Sequence, residues 1–509
     1  MIDVLFIAPS NSKGIYQDLA KDYAGIEPPA WACLLAESCR SIGYNVDILD
    51  TGALNLTHSE SIKYIRESKP RLICFVVYGQ NVNAGTTMTS GAVSLSTAIK
   101  MDGIDIPISF IGSHVQALPY ETLDKEPSID FVFTNEGVYA LREILKYGPI
   151  MEKLGEVRGI GYRKDGKSVL TPPSMLVPNH KMDEDLPGYA WDLLPYDEKP
   201  FDLYRCPMWH AEYDVDKRTP YASISTSLGC QFRCEFCMIN ILNRDDDDPI
   251  GVAGNYNVMR YWSTDFVLKQ FDKLVEMGVE NIRIIDEMFL LNPKYYKPLC
   301  EGLIERGYSE TLRMWAYSRV DTIRRPDILK LVREAGIRWL GIGIESGDRN
   351  VRLEVSKGKF QDVDIKEVVR QVEDADINVM ANYIFGLPTD THESMRKTQD
   401  LALDLATLGW NGYSAMPLPG SQLYKDAIEA GYELPDDYEG YSFHAYNTTP
   451  IPTDNLTSKE ILKFRDDSYL EYHQSEKFLS KVKEKYGQES VDNILENCKI
   501  KLKRKILGD

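Results

Sequence analysis

The chain is poor in cysteine, has no long apolar run and carries no excess of basic charge, and each deficit excludes a class of protein. Nine cysteines in 509 residues are too few for the disulfide framework of a secreted scaffold. No apolar run approaches the roughly 20 residues that span a bilayer, and the N-terminus lacks the basic start of a signal peptide. The net charge of −19 disfavours a nucleic-acid partner, because phosphate binding needs a basic surface. We therefore expect a cytoplasmic protein with a small-molecule ligand.

Over residues 1–150, apolar runs alternate with stretches of helical spacing. The first run, Val4–Ala8, is continuous and ends at a Pro-Ser pair, as expected of a strand buried on both faces. Similar runs cover residues 72–77, 108–111 and 130–133. This alternation predicts a doubly wound, parallel α/β sheet.

Small and polar residues follow four of these predicted strands. Doubly wound sheets bind ligands at the C-terminal ends of their strands, so the four ends together favour a site for a broad or phosphate-rich ligand. Taken singly, each glycine or serine also suits a tight turn. No Gly-x-Gly-x-x-Gly follows the first strand, which disfavours a nicotinamide dinucleotide. The candidate ligand-binding residues are Ser10, Tyr78, Gly79, Gly112, Ser113, His114, Glu136 and Gly137.

Three of the nine cysteines fall within eight residues, on a predicted loop after a strand. Cys230, Cys234 and Cys237 have the spacing C-x3-C-x2-C. A closed iron–sulfur or zinc site takes four protein ligands, so three leave one metal position open for a substrate or cofactor. The alternative is an incomplete zinc site, although zinc ligands usually form two paired clusters and the sequence has no second pair. Its distant fourth ligand would be Cys206, His210 or Cys300.

After the cysteines, strand-like and helical runs alternate from residue 282 to residue 408. This pattern predicts a partial (β/α) barrel, in which functional residues lie at the C-terminal ends of the strands. A carboxylate pair at one such end could accept hydrogen bonds from an ammonium group, and a surface ion pair or helix cap is the alternative for each residue. The polar residues at the predicted strand ends are Asp286, Glu287, Ser318, Arg319 and Glu345.

The cysteine motif resembles that of the radical SAM superfamily, which has an aromatic residue before its third cysteine. Phe236 fills that place. The resemblance implies a 4Fe–4S cluster on Cys230, Cys234 and Cys237, whose open iron binds S-adenosylmethionine (SAM). It also implies cleavage of SAM to a 5′-deoxyadenosyl radical, with an electron from a donor such as flavodoxin or ferredoxin.

The same resemblance implies roles for the residues at the barrel mouth. Asp286 and Glu287 stand where the superfamily holds the methionine amino group of SAM. Ser318, Arg319 and Glu345 match positions that commonly contact the ribose and carboxylate of SAM. The sequence therefore predicts a SAM site beside the cysteine loop.

A doubly wound domain before such a barrel resembles the cobalamin-binding subgroup of the superfamily. Residues 112–114 are similar to its Gly-Gly-x-His turn and residues 135–137 to its Gly-Glu-Gly turn, each with one departure. The Asp-x-His-x-x-Gly motif, which gives cobalt a histidine in other cobalamin proteins, is absent. The resemblance therefore implies bound cobalamin without a protein imidazole on cobalt by that route. His114 could contact the cofactor or cap the following helix.

The predicted organisation is a Rossmann-like domain over residues 1–150, a connector over 151–215, a partial barrel over 216–425, and an aromatic-rich segment with C-terminal helices over 426–509. The tyrosine-rich stretch 434–454 could cover the barrel mouth or only pack against it. We expect a methyltransferase acting on an unactivated carbon of a small metabolite or of a lipid or sugar intermediate. The alternatives are a radical oxidation, cyclisation or rearrangement, and a ligand sensor or binding protein.

Overall fold

The computed structural model describes residues 2–21, 23–79, 81–196, 204, 220–254, 259–323, 326–357, 360 and 362–509. Cys206 and His210, two of the candidate zinc ligands, lie outside these residues. Among the helices of the described ranges, none has both the length and the apolar character needed to cross a membrane.

The regular elements alternate between strands and helices along most of the chain. The strands are β1 Val4–Ala8, β2 Val46–Asp50, β3 Leu72–Val77, β4 Ile108–Gly112, β5 Phe131–Phe133, β6 Ile160–Lys164, β7 Lys167–Leu170, β8 Tyr221–Ile224, β9 Ser227–Leu228, β10 Arg260–Tyr261, β11 Asn281–Ile284, β12 Arg313–Arg319, β13 Ile337–Glu345, β14 Asn378–Phe385 and β15 Gly409–Ser414. The helices are α1 Ser12–Tyr16, α2 Ala30–Arg40, α3 His58–Ser68, α4 Gly85–Met101, α5 Ser113–Ala117, α6 Pro119–Lys125, α7 Val138–Ile144, α8 Met182–Asp185, α9 Thr264–Glu276, α10 Pro293–Glu305, α11 Pro326–Glu334, α12 Arg349–Val355, α13 Ile365–Asp374, α14 His392–Leu405, α15 Gln422–Glu429, α16 Ser458–His473, α17 Glu476–Tyr486 and α18 Gln488–Asn497.

The first sheet has the strand order β2-β1-β3-β4-β5-β6-β7, and its first five strands are parallel. Alternate side chains of β1 enter different cores: Val4 and Phe6 pack with α2 and α7, while Leu5 and Ile7 pack with α3 and α4. Because side chains alternate across a strand, helices cover both faces of the sheet. The predicted doubly wound fold is confirmed.

An antiparallel hairpin of β6 and β7 extends this sheet beyond β5. It lies within residues 151–215, for which the sequence analysis predicted a connector with little regular structure. Its outer residues are half-buried or exposed, so the hairpin has no continuous apolar run of the kind that marks β1. The hairpin therefore lacks the pattern on which the strand predictions depended.

The second sheet has the order β15-β14-β13-β12-β11-β8, and all six strands are parallel. Neighbouring strands follow one another along the chain, with a helix in most of the crossovers, and the sheet curls into a half-barrel. The crossover helices are amphipathic. In α13, for example, Val368, Val369 and Val372 are buried on the face that packs against the sheet. The predicted partial (β/α) barrel is confirmed, and α16, α17 and α18 form the predicted C-terminal helical region.

Candidate active site

The three motif cysteines line one cavity of about 980 Å³ at the mouth of the half-barrel. Their loop is fixed by Asn240, which accepts a hydrogen bond from the Cys230 backbone N–H (3.1 Å) and donates one to the Cys230 carbonyl (2.7 Å). Burial raises the pKa of the Cys230 thiol to about 11 and that of Cys234 to about 12. Without a bound cation these thiols therefore stay protonated at neutral pH.

The cysteines fit an iron–sulfur cluster better than a single metal ion. In the part of the chain that the structure describes, no group of three or more His, Cys, Asp or Glu side chains is placed to hold one ion. In a 4Fe–4S cluster each thiolate binds a different iron, so its ligands need not converge on one point. Cys300, the third candidate for a distant zinc ligand, is buried on α10 and does not line the cavity. The donor set is thus three thiols on one cavity wall.

Two aromatic residues and a guanidinium group flank the cysteines. Phe236, the aromatic residue of the motif, lines the same cavity. The Arg319 guanidinium lies 3.7 Å from the Phe232 ring centroid and makes a bidentate ion pair with Asp321, at 2.6 and 2.7 Å. Because this charge-assisted pair is buried, it holds Arg319 firmly beside the cysteine loop.

The carboxylate pair after β11 divides into two different environments. Asp286 accepts hydrogen bonds from the Thr226 N–H (2.6 Å), the Thr226 hydroxyl (2.6 Å) and the Ser227 hydroxyl (2.7 Å). These donors precede the cysteine loop, so Asp286 fixes the approach to it. Glu287 lines the cavity, and burial raises its pKa to about 7. Of the two, Glu287 is the one placed to contact a ligand in this cavity.

Ser318 and Glu345 also line the cavity of the cysteines. The Ser318 hydroxyl lies 2.8 Å from that of Thr322. Glu345 has a φ of 64°, in the left-handed region that residues other than glycine rarely adopt. A Cβ atom at Gly343 would lie 2.5 Å from a carboxylate oxygen of Glu345, so a larger residue there would displace the Glu345 carboxylate. Such local strain is typical of functional sites.

A second cavity, of about 1050 Å³, lies where the two sheets meet. It opens at the C-terminal ends of β1 and β3. The strand order reverses between these two strands, because β2 lies on the far side of β1 whereas β4 and β5 lie beyond β3. Such a switch point is the usual ligand site of a doubly wound sheet. The candidate residues of the first domain that line the cavity are Ser10, Tyr78 and Gly79, and Asp286 and Glu287 line it from the end of β11. Trp31 lines it too, and its buried indole N–H has no hydrogen-bond partner among the described residues. An acceptor-rich ligand would satisfy that donor.

The structure places the other candidate residues of this domain away from the second cavity. They follow β4 and β5, beyond β3 and therefore on the far side of the switch point. Gly112 packs against β3, where an added Cβ would lie 2.3 Å from the Val77 carbonyl oxygen. Gly137 begins α7 with a φ of 78°.

The polar members of this group have partners or packing of their own. Glu136 makes a buried ion pair with Arg260 at 2.7 Å, which links the first sheet to the strand beside the cysteine loop. Ser113 and His114 lie within α5, and neither caps it. The His114 ring packs edge-on against Tyr438, and burial lowers its pKa to about 3. Neither cavity includes any of these three side chains among the residues that line it.

The two cavities share a wall. Glu287, which follows β11, and Ile239, which follows the cysteine loop, line both cavities, and so do Asn81, Ala84 and Thr87 from the first domain. No sequence pattern marks the last three, because they follow β3 at positions that carry no distinctive motif. A ligand at the end of the first sheet therefore faces the cysteine cavity across a few side chains.

Part of the tyrosine-rich stretch lines the cysteine cavity, so this stretch covers the barrel mouth. Its lining residues include Tyr441, Phe443 and His444. The His444 carbonyl accepts a hydrogen bond from the Gln17 side chain (2.7 Å), and the His444 ring lies 5.3 Å from that of Tyr16. The stretch thus joins the first domain to the barrel at the mouth of the cavity.

Two family profiles match the chain in the order of its two sheets. Residues 16–145 match the B12 binding domain, and residues 224–402 match the Radical SAM superfamily. The chain has a radical SAM domain that follows a B12-binding domain. It is an enzyme with the two domains, in the order, that the cysteine motif and the first sheet predicted.

Several relatives of this radical SAM enzyme share most of its length. An uncharacterized methyltransferase of Pyrococcus horikoshii is 25% identical over 461 residues, which cover 89% of each chain. The anaerobic magnesium-protoporphyrin IX monomethyl ester cyclase of Cereibacter sphaeroides is 23% identical over 481 residues, 92% of this chain and 70% of that one.

A solved structure, that of the radical SAM methyltransferase TsrM from Kitasatospora setae, has the same fold. Its TM-score is 0.61 at 18% identity, with 84% of this chain and 76% of TsrM covered. That structure holds tryptophan and a SAM analogue, and another structure of TsrM holds cobalamin and a [4Fe–4S] cluster.

Proposed function

We propose that this protein is a cobalamin-dependent radical SAM methyltransferase that acts on an unactivated carbon of a small molecule. The observation that carries the proposal is the wall shared by the two cavities, at Glu287 and Ile239. Methyl transfer to a carbon radical requires the methyl donor to face the site where the radical forms. Adjacent cavities, one at the end of the first sheet and one beside the cysteines, meet that requirement.

In this proposal each cofactor has its own set of side chains. Cys230, Cys234 and Cys237 hold the 4Fe–4S cluster. Glu287 binds the amino group of SAM, while Asp286 fixes the strand that leads into the cysteine loop. Cobalamin occupies the second cavity, where the free indole N–H of Trp31 can donate to one of its amide groups. The remaining proposed contacts are Ser10, Tyr78 and Gly79 for cobalamin, and Phe236, Ser318, Arg319 and Glu345 for SAM.

When bound, these groups supply hydrogen abstraction by a SAM-derived radical and delivery of a methyl group. The residues of this chain orient the partners and exclude water. Tyr441 and Phe443 cover the barrel mouth, which keeps a carbon radical away from solvent. The reaction also requires electrons, for which we propose a flavodoxin or ferredoxin as donor.

The cyclase relative favours one second candidate, an oxidation or cyclisation without methyl transfer. The products of SAM distinguish the two. With substrate and reductant, methyl transfer yields both S-adenosylhomocysteine and 5′-deoxyadenosine, whereas the second candidate yields only 5′-deoxyadenosine.

The experiment incubates the reconstituted enzyme, loaded with cobalamin, with SAM, reductant and metabolite fractions, and quantifies both nucleosides by mass spectrometry. The matched control is the same enzyme without cobalamin, which should form no S-adenosylhomocysteine. Formation of 5′-deoxyadenosine alone in every fraction that raises SAM turnover would replace the proposal with the second candidate.

A further inference from the structure

A buried cationic cluster of Arg465, Arg504 and Asp466 forms one wall of the cysteine cavity. Arg465, on α16, lines the cavity and donates a hydrogen bond from Nε to the Gly412 carbonyl of β15 (2.8 Å). The cysteine loop instead follows β8, and β8 and β15 are the opposite edges of the six-stranded sheet. The cluster and the cysteines therefore reach the same cavity from opposite edges of the sheet.

Arg465, Arg504 and Asp466 together carry two positive charges and one negative charge, while the nearby Asp509 carboxylate accepts a hydrogen bond from the Arg504 backbone N–H (3.0 Å) and pairs with Lys501 (3.7 Å). Arg465 contacts Asp466 at 3.0 Å, and Arg504 makes a bidentate pair with the same carboxylate at 2.8 and 2.9 Å. The arginine side chains are only 7% and 1% exposed, so water screens neither charge. Because a buried charge without a counter-charge is costly, such a cluster favours an anion beside it.

The two guanidinium groups differ in their partners. Every nitrogen of Arg504 has an acceptor, since its Nε and Nη2 contact Asp466 and its Nη1 donates to the Ala445 carbonyl (3.0 Å). Arg465 uses Nε and Nη1, and its Nη2 has no acceptor among the described residues. Burial and the neighbouring Arg504 lower the pKa of Arg465, yet an arginine stays charged at any ordinary pH. The two N–H groups of Nη2 are the free donors at this wall.

Aromatic rings surround the free donors. The Arg465 guanidinium lies 4.8 Å from the Phe443 ring centroid and 5.6 Å from that of Tyr469. Phe443 packs edge-on against Tyr413 at 5.1 Å, and all three rings line the cavity. This wall suits a flat, apolar group next to the anion-binding position.

We propose that the substrate carries an anionic group, a carboxylate or a phosphate, which Arg465 binds, and an apolar or aromatic body that lies against Phe443 and Tyr413. The inference rests on the proposed function, because it names the substrate class of the same cavity. Arg465 then anchors the end of the substrate remote from the cysteine loop. The anchor fixes which carbon faces the shared wall.

The test measures binding rather than turnover, with three naphthalene probes that differ only in charge: 1-naphthoate, 1-naphthyl phosphate and neutral 1-naphthamide. Each is titrated by calorimetry into the reconstituted enzyme and into Arg465→Gln, Arg465→Lys and Arg396→Gln. Arg396 of α14 is a matched control, because it pairs with Asp400 of the same helix and Glu471 of α16 and lies outside the cavity.

We expect one of the two anions to bind the wild type about tenfold or more tightly than the amide, the range of a charge-assisted hydrogen bond. The stronger of the two identifies the anion class. Arg465→Gln should abolish this preference and Arg465→Lys should keep part of it, while Arg396→Gln should leave it unchanged. Circular dichroism and iron content establish that each variant is folded.

Two results would overturn the inference: anions that bind wild type no better than the amide, or an anion preference that survives in folded Arg465→Gln. Failure of the proposed function would be a different result. Absence of S-adenosylhomocysteine would contradict methyl transfer, but it would not change the preference for anions that calorimetry measures. If the enzyme prefers anions but forms 5′-deoxyadenosine without S-adenosylhomocysteine, Arg465 remains the substrate anchor and the reaction is the second candidate, an oxidation or cyclisation.

Discussion

The two parallel sheets of this enzyme use their strand ends in different ways. The curled sheet brings Glu287, Arg319 and Glu345, which follow or end three successive strands, to one cavity together with residues of β14 and β15. The open first sheet brings only the ends of β1, β2 and β3 to its cavity, while residues after β4 and β5 lie elsewhere. Curvature makes every strand end converge on one mouth, whereas an open sheet has its ligand site only where the winding reverses.

The largest effect should follow from removing a cluster ligand in the curled sheet. Replacing Cys230, Cys234 or Cys237 with Ala should reduce the iron content from about four per chain to near zero and abolish SAM cleavage. Cys33→Ala is the control, since Cys33 is a fully buried residue of α2 outside both cavities. Iron analysis and chromatography of the nucleosides measure both quantities. A Cys234→Ala enzyme that keeps its iron and cleaves SAM would contradict the assignment.

Asp50 provides a test by pH at the open sheet. Burial raises its folded pKa from 3.8 to about 6, although Gly52, Ala53 and Tyr204 donate hydrogen bonds to it. The unfolded chain releases this proton first, so the contribution of Asp50 to stability is complete below about pH 4 and falls as pH rises to about 6. The fall is on the order of 3 kcal/mol.

The measurement is the free energy of unfolding against pH for the wild type and for Asp50→Asn, which keeps the shape of the side chain. The difference between the two curves should change between pH 4 and pH 6 and be flat above that range. Two parallel curves would show that the folded pKa of Asp50 is ordinary.

The carboxylates Asp286 and Glu287 test whether neighbours at one strand end have separate roles. Glu287→Gln should weaken SAM binding by about 1.5–3 kcal/mol, the value of a charge-assisted hydrogen bond, and leave the iron content unchanged. Asp286→Asn should instead lower the thermal midpoint and the retained iron, because it disturbs the bonds from Thr226 and Ser227. Equilibrium dialysis with SAM, together with iron analysis, separates the two. Equal losses of SAM affinity with full iron in both variants would assign both residues to SAM.

Sequence alone predicts those parts of the molecule that local patterns determine. Apolar runs mark parallel strands such as β1, β3 and β4, and the three-cysteine spacing marks the cluster loop. Strand order is not a local property, since β1 lies between β2 and β3 only in the folded sheet. The candidates after β4 and β5 were therefore chosen correctly as strand ends but could not be separated from those at the switch point.

Cavity residues that come from distant parts of the chain carry no local signal in the sequence. Arg465 lies on a helix whose sequence shows a charged C-terminal element and no motif. Its position in the cavity depends on the packing of α16 against β15 and on the return of the chain at Arg504. Composition marks the tyrosine-rich stretch, but its contacts with the first domain, such as the hydrogen bond from Gln17 to His444 and the packing of Tyr438 on His114, depend on the folded chain.

Gly112 tests whether an end of the open sheet away from the switch point serves packing. Gly112→Ala should lower the free energy of unfolding by about 1–3 kcal/mol, because the new Cβ would overlap the Val77 carbonyl. Gly148→Ala is the matched control, since a Cβ there meets no atom within 4 Å. Thermal melts of both variants without cobalamin provide the comparison. A Gly112→Ala enzyme as stable as the control but unable to retain cobalamin would place the ligand at β4 instead.

The smallest effect should come from Trp31, which tests the ligand site at the switch point directly. Its indole N–H is buried beside the cavity and has no acceptor in the described part of the chain, and its ring packs edge-on against Tyr78. Trp31→Phe removes the donor and keeps an aromatic ring, so cobalamin affinity should fall about two- to tenfold, the range for one neutral hydrogen bond. The thermal midpoint without ligand should not fall, because an unsatisfied buried donor contributes nothing favourable.

Trp191→Phe is a matched control for Trp31→Phe, since Trp191 is also buried with a free indole N–H but lies outside both cavities. Each variant is incubated with hydroxocobalamin, and retained corrin is read from the visible absorbance after desalting at several cofactor concentrations. In wild type the spectrum should lack the signature of a histidine on cobalt, and the substitution should not alter it. Loss of affinity in Trp191→Phe but not in Trp31→Phe would move the cofactor away from β1 and β3, and the two sheets would then no longer differ in how they place their ligands.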